Sequence, residues 1–303
     1  MIMDTVLIHE VGMRDGLQME SMTVPIEKKI EWVKLLARSG VDIIQLGSFV
    51  NPARMPQMAD TDELFRHFSK PENKIPNMLL FGLVLNEKGL ERGIACGVEM
   101  FCMGVSASET HSMKNTGMTV DEATLRIIAM AKSLIESGKK VQVSVQSAFG
   151  CGFEGNIPEE KVYSIVRKYI DSGINTISLA DTAGHANPAK VERMTEKILS
   201  LGSNVELTAH FHNTYGMGMA NCWAAYKSGI RKFETAFGGL GGCPFTKMTA
   251  GNVCTEDFVH LLHRTGIRND IDINPIIEVT KDASKYFGKE MPGFVYKTGG
   301  LKY

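Results

Sequence analysis

Short apolar runs of strand length alternate along this chain with longer stretches whose apolar positions recur every three or four residues. The junctions repeat. ARSGVDIIQLGSF, IACGVEMFCMGVS, IESGKKVQVSVQS, IDSGINTISLADT and YKSGIRKFETAFG each set a glycine between a helical ending and an apolar run. Glycine suits the left-handed position just past a helix. The runs that follow are short enough to be parallel strands buried on both faces. The pattern predicts strands at 4–10, 41–47, 77–84, 98–104, 140–147, 174–180, 205–211 and 231–236. Between them lie helical stretches such as PIEKKIEWVKLLARSG, in which Ile26, Ile30, Val33 and Leu36 mark an apolar stripe. Eight alternating units predict an α/β fold, a (β/α)8 TIM barrel over residues 1–270, with a doubly wound open sheet as the alternative. Residues 271–303, ending MPGFVYKTGGLKY, read as a C-terminal helical extension packed on the barrel, with a flexible Gly- and Lys-containing end.

Composition narrows the function classes. With 33 basic and 34 acidic residues among 303 and a net charge of −1, the chain sets up no field for nucleic acid or an anionic membrane, and a small-molecule ligand stays open. The six cysteines, at 96, 102, 151, 222, 243 and 254, form no CxxC pair, which argues against a disulfide framework or a structural zinc site. A reducing cytoplasm is the expected setting. No run reaches the roughly 20 apolar residues of a membrane span. The start, MIMDTVLIHE, lacks the pattern of a signal peptide, so the mature chain is expected to begin at or near Met1.

In a barrel of this kind the chemistry gathers where strands end and loops begin. After the first strand, HEVGMRDGLQME presents Arg14, Asp15 and Gln18, either as solvated charges in a glycine turn or as a carboxylate ligand or base beside a fixed cation. In the seventh strand, ELTAHFHNTYG places His210 and His212 two residues apart, on one face and about 7 Å from each other. Two such imidazoles can grip one metal ion, and Asp15, which follows another odd-numbered strand, could complete a mixed oxygen and nitrogen site open to substrate. After the eighth strand, FGGLGGCPFTKMTAGN carries Cys243; it reads as a turn with a small buried hydrophobe, or as a mobile lid that brings a thiol over the metal. Asn252 closes that loop, to cap the next helix or to offer its amide oxygen to the metal. The sixth strand ends SLADTAG, placing Ser178, Asp181 and Thr182 at the same face; Thr182 or Asn187 can be a helix cap, but Asp181 is not readily explained so.

The segments HEVGMRDGLQME, SFVNPARMPQMAD, SASETHSMKN, SLADTAG, HFHNTYG and GLGGCPFTKMTAGNVCTED, taken in order, resemble the signatures of the 3-hydroxy-3-methylglutaryl-CoA lyase family. The first motif and the His-x-His are shared across the DRE-TIM metallolyases, whereas the cysteine loop is particular to the lyase branch. The resemblance implies Mg²⁺ or Mn²⁺ held by Asp15, His210, His212 and Asn252. It also implies Arg14 at the developing enolate oxygen, Cys243 in catalysis, an acyl-CoA substrate and a homodimer. Asp181 joins the catalytic candidates, and Gln18, Gln45, Ser48, Ser178 and Thr182 are the expected substrate contacts. The implied reaction is a retro-Claisen cleavage to acetyl-CoA and a 3-keto acid such as acetoacetate. The base would be Asp15 or a histidine of the pair.

Four positions depart from the family pattern. Gln45 stands where the family has a glutamate, Met13 and Gly152 where it has prolines, and Asn213 where an aspartate follows the second histidine. Gln45 removes a negative charge near the cation and can mark a different acyl-CoA. Two other functions are weighed: a metal-dependent aldolase or condensing enzyme on a 2-oxo acid, and a catalytically silent acyl-CoA-binding barrel. For the CoA phosphates the sequence offers Lys114, Arg54 or the basic tail.

Overall fold

The structure is a computed structural model that describes residues 5–242 and 251–301. Its parallel strands close into a barrel in chain order: β1 (Leu7–Glu10), β2 (Ile43–Ser48), β3 (Leu79–Leu83), β4 (Met100–Ser106), β5 (Lys140–Gln146), β6 (Thr176–Asp181), β7 (Glu206–Phe211) and β8 (Lys232–Thr235). Each strand expected from the apolar runs overlaps one of these. The helices are α1 (Ile26–Ser39), α2 (Thr61–Ser69), α3 (Glu87–Ala95), α4 (Glu109–Thr116), α5 (Val120–Glu136), α6 (Glu159–Asp171), α7 (Pro188–Leu199), α8 (Gly218–Lys227), α9 (Thr255–Arg264), α10 (Ile273–Phe287) and α11 (Val295–Thr298). The glycines of the repeated junctions, Gly40, Gly97, Gly138, Gly173 and Gly229, all have positive φ, between 77° and 104°. That is the left-handed ending that lets each helix stop and the chain turn into the next strand. None of the described helices is long and apolar enough to cross a membrane.

By packing, the described residues form two compact units, one drawn from 5–99, 234–242 and 251–301 and the other from 100–233. In the first, β2 pairs with both β1 and β3, with an irregularity between Gln45 and Gly47. Its α1 is rotated from the stripe read in the sequence: Lys29, Trp32, Val33 and Leu36 are buried, while Ile26 and Ile30 lie at the edge. The cause is α10, which packs against α1. The Trp32 indole donates to Asp282 at 2.6 Å, and the Lys29 ammonium reaches Asp60 and the Gln57 carbonyl, each at 2.6 Å. Partners far along the chain therefore bury a lysine, which periodicity alone does not foresee. In the second unit β4 to β7 pair in sequence, with seven register pairs from Met100–Lys140 to Ser106–Gln146. The five cysteines among the described residues are buried and form no disulfide with one another.

Candidate active site

The segment after β1 is wound around the Val11 carbonyl, with the Leu17 amide closing onto Gly12 O. Val11 O accepts from the amides of Arg14, Asp15 and Gly16 at 3.1, 2.8 and 3.4 Å, drawing Gly12–Gly16 into a π-helical turn. Widened turns of this type recur at functional sites. The turn presents Arg14 and Asp15 side by side. Asp15 Oδ1 receives Arg14 Nη1 at 2.6 Å and Oδ2 receives Asn252 Nδ2 at 2.8 Å, while Arg14 Nε donates to Gln45 Oε1 at 2.8 Å. The guanidinium is thus aimed by one charged and one neutral acceptor.

Asn252 is buried, and its amide nitrogen also donates to Leu240 O at 3.0 Å. Its Oδ1 is buried with no hydrogen-bond partner among the described residues, a state that ordinarily costs about 1–3 kcal/mol. Helix capping does not explain this residue, because Cys254 occupies the N-cap position of α9. Gly241, at φ +107°, allows the close approach; a Cβ there would lie 2.6 Å from Asn252 Nδ2. Of the other expected substrate contacts, Ser48 ends β2 with a buried hydroxyl, and Gln18 has a buried Oε1, that bond nothing among the described residues. Cys243 lies outside the described residues.

In the second unit, His210 sits in β7 and His212 just past its end, both buried, with their Nε2 atoms 3.1 Å apart. Asp181 ends β6 fully buried. Its two oxygens accept from the amides of His185 (2.8 Å) and Ala186 (3.1 Å), fastening its own loop, and burial pushes its carboxyl up to about 7. Asn187 caps α7, whereas the Thr182 hydroxyl accepts from Ser147 N at 3.0 Å. Ser178 is buried within β6. The Lys114 ammonium stands 4.0 Å from the centroid of the Phe153 ring.

Asp15, His210 and His212 each offer one ligand atom, and the three atoms lie within 4.8 Å of one another. One carboxylate and two imidazoles are a donor set suited to a divalent cation, and the unbonded Asn252 Oδ1 is an oxygen that such an ion would satisfy. Two carboxyls were missed in the sequence. Glu10 is fully buried and burial raises it to about 8; Glu256, also buried, rises to about 7. A glutamate at the end of the strand-forming run VLIHE is the sequence signal that points to Glu10.

The chain matches the HMGL-like family over residues 5–282. It belongs to that family. It is 35% identical to the (R)-citramalyl-CoA lyase of Chloroflexus aurantiacus, over 98% of this chain and 96% of the relative. It is 33% identical to the hydroxymethylglutaryl-CoA lyase YngG of Bacillus subtilis, over 95% of each. Among solved structures, an HMG-CoA lyase from Acinetobacter baumannii in complex with coenzyme A and 3-methylmalate superposes with a TM-score of 0.91 at 37% identity, covering 99% of this chain and 96% of the other. The resemblance read from the motifs is borne out, and this member of the HMGL-like family is a lyase.

Proposed function

We propose that this HMGL-like protein is a divalent-metal-dependent carbon–carbon lyase that cleaves 3-hydroxy-3-methylglutaryl-CoA, or a close 3-hydroxyacyl-CoA, to acetyl-CoA and a 3-keto acid. The observation that carries the reading is the grouping of Asp15, His210 and His212 within 4.8 Å. Asn252, whose Nδ2 donates to Asp15 Oδ2, would add its Oδ1, unbonded among the described residues, as a further oxygen donor. Mg²⁺ or Mn²⁺ held there would supply Lewis acidity to the substrate oxygens.

The remaining steps fall to the chain's own groups. Asp15 or one of the two histidines takes the tertiary hydroxyl proton, and the oxygen becomes the new keto oxygen as the C2–C3 bond breaks. The electron pair of that bond passes to C2 as a thioester enolate. Arg14, aimed by Gln45 and Asp15, stabilises its oxygen more as charge develops than in the ground state. Cys243 takes part in the cycle, the product completing as acetyl-CoA when C2 gains a proton. A homodimer and a cytoplasmic setting complete the proposal.

A second acyl group is favoured by one pair of facts. The Arg14 side chain has a neutral partner in Gln45, and one relative is named for citramalyl-CoA. A citramalyl thioester carries its free carboxylate directly on the carbinol carbon, nearer the cation than in the methylglutaryl compound, and the same bond cleavage would give acetyl-CoA and a 2-oxo acid in place of the 3-keto acid. A neutral side chain at position 45 opposes that approach less than a carboxylate would. The test is acetyl-CoA release from each thioester, with Mg²⁺ or Mn²⁺ and with EDTA as control. Metal-dependent release from either establishes the lyase, and the ratio of the two kcat/KM values assigns the acyl group. Gln45→Glu is expected to shift that ratio at least fivefold toward the methylglutaryl thioester. No release from either, with Mn²⁺ bound, would overturn the proposal.

A further inference from the structure

Glu10 is the last residue of β1 and fully buried, yet among the described residues no cationic group bonds it. Its carboxyl instead gathers three donors from segments far apart in sequence. Oε1 accepts from Gly12 N at 2.6 Å and Phe237 N at 3.1 Å, and Oε2 accepts from the Thr255 hydroxyl at 2.6 Å. The Thr255 hydroxyl in turn lies 2.9 Å from that of Thr235, the end of β8.

Each donor leads to a residue of the candidate site. Gly12 opens the turn that carries Arg14 and Asp15. Phe237 begins the glycine-rich arm leaving β8, and Thr255 ends the arm that returns with Asn252. At their base the two arms lie together, Ala236 N on Val253 O at 3.0 Å and Thr255 N on Ala236 O at 3.1 Å. Space is as tight as the bonding. A Cβ on Gly12 would come within 2.6 Å of Glu10 Oε1 and 2.5 Å of the Phe237 ring.

We propose that Glu10 is a positioning residue that holds the Arg14–Asp15 turn and the Asn252 arm in one arrangement, through Gly12, Phe237 and Thr255. The inference rests on the reading above that Arg14, Asp15 and Asn252 serve the reaction. A shorter acid cannot span all three donors, whereas an amide of the same length keeps one oxygen for Gly12 and Phe237 and turns its NH₂ toward Thr255.

The test uses the full chain with Glu10→Asp, Glu10→Gln and Thr255→Val. Thioester cleavage, Mn²⁺ affinity and thermal unfolding are measured side by side. Glu10→Asp is expected to lower kcat at least tenfold, leave KM within twofold and weaken Mn²⁺ binding at least fivefold. Glu10→Gln should stay within threefold of the parent in all three constants. Thr255→Val, which loses one donor only, should fall between them. If Glu10→Asp keeps parental kcat and Mn²⁺ affinity per folded molecule and loses only Tm, the residue is structural and the proposal fails. If the parent binds Mn²⁺ but cleaves no thioester, the proposed function fails on its own, and the Mn²⁺ affinities of the three variants decide the role of Glu10. Should Glu10→Asp not fold, equal Mn²⁺ affinity and kcat in Thr255→Val and the parent would overturn it.

Discussion

Glu10 and Asp181 look alike and differ in reach. Both are carboxyls at the C-terminal end of a barrel strand, both are fully buried, and both are raised from their ordinary values by burial, to about 8 and about 7. Both are held by hydrogen-bond donors rather than by a paired cation. Asp181 gathers the amides of residues four and five positions on, so its hydrogen bonds stay within one loop. Glu10 gathers Gly12, Phe237 and Thr255, two of them more than two hundred residues away. Burial makes a carboxyl a fastener in either case; the sequence distance of its donors decides whether it shapes a loop or a site.

The largest effect is expected at Arg14, which lies within the turn that Glu10 secures. Arg14→Gln should lower kcat about 100- to 1,000-fold while moving KM less than about threefold, as loss of a group acting on developing charge does. Steady-state kinetics with the better thioester checks it, and an effect confined to KM would show that the turn binds substrate without acting on the transition state. The next effect is local. Asp181→Asn keeps the shape but turns an NH₂ toward the amide of His185 or Ala186, and should cost about 1–3 kcal/mol of stability. Urea unfolding measures the loss, and hydrogen exchange should show faster exchange at His185 and Ala186 with the rest of the chain unchanged. Fast exchange near Gly12 or Thr255 in this variant would break the distinction drawn here.

The smallest effect is in pH dependence, read in EDTA. A carboxyl whose folded pKa lies above its unfolded value binds more protons in the native state between the two values, so its contribution to stability falls as pH rises through that window and is flat beyond it. For Asp181 the window runs from 3.8 to about 7, and for Glu10 from 4.5 to about 8. Between pH 7 and 8, therefore, Glu10→Gln should flatten the decline in unfolding free energy while Asp181→Asn leaves it in place. Urea midpoints at half-unit pH steps test this, and equal slopes in the two variants would show that the Glu10 carboxyl is not raised above that of Asp181.

The unevenness of what could be read from the chain has the same cause. The eight strands and the glycine-ended helices were legible because period and turn chemistry are local. Asp15 and the His210–His212 pair were legible because unusual residue types interrupt apolar strands. Asn252 was ambiguous, since a cap and a ligand ask for the same side chain; the position of Cys254 at the helix start and the unbonded Oδ1 removed the capping alternative. Glu10 was passed over, because a glutamate at a strand end gives no sign of being buried until Phe237 and Thr255 are known to lie against it. The burial of Lys29 gave no sign in the sequence for a similar reason, since it depends on Asp60 and the Gln57 carbonyl.

By itself, then, the sequence determined the barrel class, the strand positions and the residue types able to bind a cation, all of which follow from interactions between near neighbours along the chain. Which acids are buried, what their oxygens bond, and how Arg14 is aimed were decided only by the tertiary structure. Desolvation and hydrogen-bond geometry depend on groups that the fold brings together from opposite ends of the chain.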